Sequence, residues 1–173
     1  MKSMRRDNRG VSLIEIMIVI AIIAVLGGVG IMSFNAITGK PAQQCAQKIV
    51  YSLERHRTSA MSKVYSQYKL YVGADKKIYL QEFVSNTDPN VAMDPTEMGS
   101  AGIEVKYECV NSSGNVVVRD LETNPLILSF DRGSGAFKKL GAEDLYCQKI
   151  MVSRGGRTFE VTLVPLTGKV YID

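Results

Sequence analysis

Apolar side chains run almost without interruption from position 11 to position 34, and Glu15 is the only charged residue among them. At about 1.5 Å per residue a helix of this run extends about 36 Å, enough to cross a hydrocarbon core about 30 Å thick. Past Gly39, Lys40 and Pro41, which are expected to kink or briefly interrupt the helix, the pattern changes. Ala42, Cys45, Ile49, Leu53, His56, Ala60 and Val64 recur at steps of three or four, the single stripe of an amphipathic helix that packs on a sheet.

The remainder reads as short strands between turn signals. Segments 67–72 and 77–83 flank Gly73, Ala74 and Asp75, a hairpin pattern. Ile103, Val105, Tyr107 and Cys109 alternate with Glu104, Lys106 and Glu108, which predicts a strand buried on one face. Further strands are expected at 116–119, 126–130, 136–140, 149–153, 158–164 and 169–172, with turns at 111–114, 131–135 and 154–156. A helix followed only by strands predicts an α+β fold: a long N-terminal helix, membrane-spanning in its first half and amphipathic in its second, packed on a mainly antiparallel β-sheet.

Charge orients this arrangement. Lys2, Arg5, Arg6 and Arg9 all precede the apolar run, so the N-terminus is expected in the cytoplasm and the C-terminal part outside, as a single-pass membrane protein. Three regions follow: a basic leader at 1–10, a hydrophobic transmembrane or assembly helix at 11–36, and an extracytoplasmic globular domain at 37–173. A secretory signal has the same gross parts, but its apolar core is usually about 7 to 15 residues and carries no carboxylate. Cleavage near Gly27 and Gly28 is the form that alternative takes. The acid is informative because a charge at the centre of a membrane helix costs roughly 2.5 to 3.5 kcal/mol, and less nearer the interface. Something should offset it.

The stretch Arg9-Gly10-Val11-Ser12-Leu13-Ile14-Glu15-Ile16-Met17-Ile18-Val19-Ile20 resembles the processing motif of type IV prepilins and of the pseudopilins of type II secretion and DNA uptake. The resemblance implies a structural subunit cut by a prepilin peptidase between Gly10 and Val11, N-methylated at Val11, and assembled through Glu15. In the family picture that carboxylate pairs with the new α-amine of a neighbouring subunit, and a desolvated pair tolerates burial far better than an isolated carboxylate. Other pilin or pseudopilin subunits, an inner-membrane assembly platform and membrane lipid are the implied partners, and a filament is the implied destination. Glycine before the cut fits a backbone that a peptidase must approach closely. Val11 stands where the family most often has phenylalanine or methionine. Within the run Gly27, Gly28 and Gly30 take the neighbourhood where major pilins commonly carry proline. A narrower similarity, to H-type minor pseudopilins and related minor pilins, rests on the stretches 53–60, 128–133 and 167–170.

Composition adds constraints. Removing Lys2, Arg5, Arg6, Arg9 and Asp7 with the leader takes the formal net charge from +4 to +1, so the pI near 8.9 does not point to nucleic acid. Cys45, Cys109 and Cys147 are an odd set. Cys109 and Cys147 both fall in strand-like segments and form the candidate disulfide, the alternative being that all three are small buried apolar residues. Asp88, Asp94 and Glu97, broken by Pro89 and Pro95, have oxygen ligands for calcium but not the spacing of a calcium loop, and a solvated loop is the favoured reading. Lys149, Arg154 and Arg157 surround a glycine turn and have the chemistry to meet phosphates; an exposed hairpin tip is the favoured reading, and DNA is not an expected partner. His56, the only histidine, reads as a structural residue of the stripe. With no phosphate loop, paired-carboxylate helix or nucleophile elbow, no catalytic residue, metal or cofactor is expected, and the chain is not read as an enzyme. A membrane-anchored binding domain that never assembles is the rival.

Overall fold

Ser12 starts the first helix by capping it. Its Oγ and its carbonyl both accept from the Glu15 N–H, at 3.3 and 3.1 Å, which satisfies a donor that helix termini otherwise leave orphaned. The computed structural model describes residues 12–62, 66–84, 92–141 and 143–173, with side chains described for all of these except 28–38, 66 and 84. Helix α1 runs Leu13–Ser62 with Pro41 inside it. The interruption expected at Gly39–Pro41 is therefore absent as a break in secondary structure. Proline removes one N–H from the ladder, and the helical turns on either side carry on around the gap. The chain divides into two compact units, Met1–Ile37 and Thr38–Asp173.

In the first unit, the described side chains of α1 are exposed on every side. Leu13, Ile14, Met17, Ile20, Ile23, Val25 and Leu26 are each 60% or more accessible. Among the described residues no helix is long and apolar enough to cross a membrane; residue 11 and the side chains of 28–34, which the expected crossing takes in, lie outside them.

The second unit is built from the rest of α1 and nine strands: β1 (Ser66–Val72), β2 (Ile78–Val84), β3 (Thr96–Gly99), β4 (Glu104–Asn111), β5 (Val116–Asp120), β6 (Leu126–Ser129), β7 (Leu145–Arg154), β8 (Arg157–Val164) and β9 (Lys169–Ile172). They form two antiparallel sheets rather than the one expected, in the orders β3-β2-β1-β6 and β5-β4-β7-β8-β9. The helical stripe lands where its spacing puts it. Ala42, Cys45, Ile49, Leu53, His56 and Ala60 are all at most 3% exposed, joined by Ala46, while Val64 lies outside the described residues. Ile49 and Leu53 of α1 share one small void with Tyr68, Leu70, Leu128 and Ile150, so helix and both sheets meet in a single core. Each such apolar side chain contributes roughly 1.5 to 3 kcal/mol by leaving water.

Three strand expectations need correction. Segment 136–140 forms only an isolated bridge from Phe137 to Phe130: the Phe137 N–H goes to the Pro165 carbonyl instead of a neighbouring strand. Strand β3 was hidden by its composition, because in Thr96–Gly99 only Met98 and Gly99 are buried and Pro95 precedes it. Strand β7 is longer than 149–153 because of a bulge. Opposite β4, Glu108 faces Lys149 but Cys109 faces Cys147, so Gln148 is extra and the alternation of buried residues slips from Leu145 and Cys147 to Ile150 and Val152.

Candidate functional site

Of the residues expected to direct processing, Gly10 and Val11 lie outside the described residues. Glu15 falls in the first turn of α1, where the unsatisfied N–H groups make a carboxylate favourable. Ser12 and Glu15 together have the S-x-x-E spacing of a capping box. In the sequence the glutamate stands out as a lone charge, whereas the capping role of the serine is legible only through this spacing. The same four residues thus start the helix and carry the acid that the apolar run has to accommodate.

The three stretches 53–60, 128–133 and 167–170 converge in the second unit. From α1, Arg57 Nε donates to the carbonyl of Gly135 at 3.1 Å. From the 131–135 turn, Asp131 Oδ1 accepts from the Gly133 N–H (3.1 Å), the Ser134 N–H (3.0 Å) and the Ser134 hydroxyl (2.9 Å). These bonds, the one from the Ser134 N–H first, hold the Asp131 carboxyl below its usual range. From the β8–β9 turn, Gly168 sits directly on the same carbonyl: a Cβ built there would lie 1.7 Å from Gly135 O. Both glycines have positive φ, 68° and 65°, a region that glycine enters without penalty. An aromatic series ties the joint to the core, with His56 stacked on Tyr68 at 3.9 Å, Tyr68 edge-on to Phe130 at 5.9 Å, and Phe130 against Phe137 at 4.6 Å.

His56 is more buried than expected, at 3% exposure, and it has the acid that the sequence did not show: Glu82 Oε1 of β2 stands 2.5 Å from its Nε2. The stacking and the buried setting fit a residue that anchors α1. No metal-holding group of three or more His, Cys, Asp or Glu occurs among the described residues. Glu97 is ion-paired with Lys77 at 2.8 Å and Asp94 is exposed, while Asp88 lies outside the described residues.

Cys109 on β4 and Cys147 on β7 are directly opposed, both buried, and both present as thiols. The hydrogen bond between them holds the Cys109 thiol below its ordinary value and, with burial, pushes that of Cys147 well above it. Cys45 is apart from this pair, against Gly99, and burial pushes its thiol up to about 12. That makes it an inert core residue.

The basic turn does not stay together as the sequence grouped it. Lys149 is drawn to Glu160 at 2.7 Å. Arg154 donates to Ser100 Oγ at 2.9 Å, and Arg157 lays its stem over buried Gly39. An open cleft of about 540 Å³ on this unit has a charged lining of Lys76, Glu104, Lys106, Asp120 and Glu122, without a histidine, cysteine, serine or threonine.

No curated protein and no solved structure matches the chain. The prokaryotic N-terminal methylation motif matches residues 5–31, the stretch that holds Gly10, Val11, capping Ser12 and Glu15. Proteins with this motif are structural rather than enzymatic, and the match supports a type IV pilin-like protein processed by a prepilin peptidase.

Proposed function

We propose that this chain is a pilin-like subunit or minor pseudopilin of a type IV pilus, type II secretion or DNA-uptake filament, cut after Gly10, N-methylated at Val11, and assembled through α1. One observation carries the reading: the described helix of the first unit exposes apolar side chains all round, immediately after a capped turn bearing a single carboxylate. A helix apolar on every face needs a cover. Lipid supplies it before assembly, with the N-terminus in the cytoplasm and the second unit outside, and the α1 helices of neighbouring subunits supply it afterwards. The peptidase, the other subunits and an inner-membrane platform are the partners. The finer reading as an H-type minor pseudopilin or related minor pilin draws support from the convergence of 53–60, 128–133 and 167–170 on one joint.

Intact-mass and N-terminal analysis of the protein from cells with an active peptidase tests the processing step. Val11 as the first residue is the expected result. Retention of Met1 would favour the non-assembling anchor, and a start near Gly28 the secretory route.

Outside the membrane, Cys109 and Cys147 are expected to close as a disulfide. Directly opposed antiparallel residues have Cα atoms about 4.5 to 5.5 Å apart, inside the roughly 4.4 to 6.8 Å that a disulfide spans. The Cys109 thiolate attacks one sulfur of a disulfide-bearing oxidant, breaking its S–S bond, releasing its second sulfur as a thiolate and leaving a mixed disulfide; Cys147, losing its proton, then attacks Cys109 Sγ and releases the first sulfur. Two electrons pass to the oxidant, which leaves as a dithiol. Alkylation of the unreduced, denatured chain should modify Cys45 alone, and modification of all three cysteines would overturn the pairing.

A further inference from the structure

Strands β7 and β8 are joined by Gly155 and Gly156, both with positive φ (59° and 77°), and Arg154 pairs directly with Arg157 across the turn. Two adjacent positive-φ glycines make a tight hairpin whose twist matches its strands, so the arginines are held at a fixed place. That place is set by α1. A Cβ on Gly39 would meet Arg157 Cδ at 2.6 Å, so the arginine stem lies close against the helix there and a larger residue would push it aside. The next residue is Lys40, which is exposed. None of Lys40, Arg154 and Arg157 forms an ion pair among the described residues, whereas Lys149, their neighbour in sequence, does. Glu104 shares a shallow cavity of about 220 Å³ with Arg154 without pairing with it. Among the described residues, two arginines without an ion pair thus face each other across a turn that lies against α1 beside exposed Lys40, at the end of the unit where its chain begins.

From Phe34, the last residue of the apolar run, to Lys40 is six residues, about 9 Å of helix. A bilayer headgroup layer is roughly 5 to 8 Å deep on each side. We infer that Lys40, Arg154 and Arg157 form a collar that binds the headgroups of anionic phospholipid and seats the globular unit on the outer face of the membrane before assembly. This rests on the proposed insertion of the apolar run. The arginines suit phosphate because a guanidinium presents two parallel donors, and a surface cation strengthens binding to an anionic membrane roughly fivefold. A phosphate polymer such as DNA has the same chemistry, but it offers no reason for the turn to be fixed against Gly39, six residues or fewer from the apolar run.

The test uses the full processed chain in nanodiscs of phosphatidylcholine alone or with about a third phosphatidylglycerol, with amide hydrogen exchange read at the 154–157 turn. Exchange there should slow at least about tenfold in the anionic discs, with no change at the 112–115 turn. The protection should disappear at high salt and in the K40Q/R154Q/R157Q variant. Equal exchange in both lipids would overturn the collar while leaving insertion intact. A chain that fails to co-elute with discs of either composition would instead overturn the insertion reading beneath it. Protection of the turn by duplex DNA in neutral discs at physiological salt would assign the cations to nucleic acid and overturn the lipid proposal.

Discussion

Glu15→Val is expected to leave insertion and cleavage intact and to remove the subunit from filaments. The side chain stands in the first turn of α1; with the apolar run inserted as proposed, that turn would lie near the interface and its insertion cost would fall below the roughly 2.5 to 3.5 kcal/mol of a mid-helix charge. Removing it therefore makes insertion no harder. Assembly is different. Under the proposed assembly the apolar helices cover one another, and the α-amine of a Val11 freed by the proposed cleavage would enter that dry environment with only a neighbour's carboxylate to balance it. Breaking a buried ion pair by deleting one partner costs roughly 3 to 5 kcal/mol, which is upwards of a hundredfold in the assembly equilibrium. Quantifying the variant in sheared filaments and in membranes, against the wild-type chain in the same cells, reads both halves. Normal incorporation beside normal cleavage would show that the carboxylate has no such counterion, and the register-setting role would be lost with it.

What the sequence disclosed divides along a physical line. Period-3.6 burial was legible in advance, because every described member of the 42–64 stripe faces the core. So was the hairpin of 67–72 and 77–83 around Gly73, Ala74 and Asp75, whose strands pair from Ser66 with Val84 to Val72 with Ile78. Alternation disclosed β4 but stopped short on β7, since a bulge at Gln148 shifts which parity is buried and no local pattern announces it. Partition into two sheets is a property of pairing partners: β6 leaves β4 and β5 to pair with β1, and nothing in Leu126–Ser129 says which neighbour it will take. The site shows the same limit. Glu15 was conspicuous as a charge in an apolar run, whereas Ser12 needed attention to a spacing. Glu82 became a partner of His56 only through the placement of β2 against α1. Gly168 was one of 15 glycines until the turn that it closes was seen to rest on another backbone.

That glycine yields the largest expected loss of stability. Gly168 has φ near +65°, and a Cβ there would fall 1.7 Å from the Gly135 carbonyl oxygen and 2.9 Å from Arg57 Nε. An L-residue in this backbone region costs about 1 to 2 kcal/mol by conformation alone. Gly114 supplies that baseline within the same chain, since its φ is +84° and nothing lies within 4 Å of its Cβ position. Gly114→Ala should therefore lose about 1 to 2 kcal/mol. Gly168→Ala must in addition push the β8–β9 turn off the 131–135 turn, breaking the Arg57 hydrogen bond to Gly135 and the Phe137 N–H bond to Pro165 that hold the joint closed. Each hydrogen bond contributes roughly 0.5 to 1.5 kcal/mol, and more where a buried group is left unpaired. The total for Gly168→Ala is then about 2 to 5 kcal/mol. Urea unfolding of the full chain in detergent, followed by near-ultraviolet circular dichroism of its tyrosines, measures both variants on one scale. Equal losses would mean that the two turns do not bear on each other, and the convergence of the three stretches would then be proximity without mechanical consequence. A deficit in Gly168→Ala that a shortened Arg57 side chain does not deepen further would place the guanidinium and the glycine in one cooperative joint, because substitutions that break the same contact do not add.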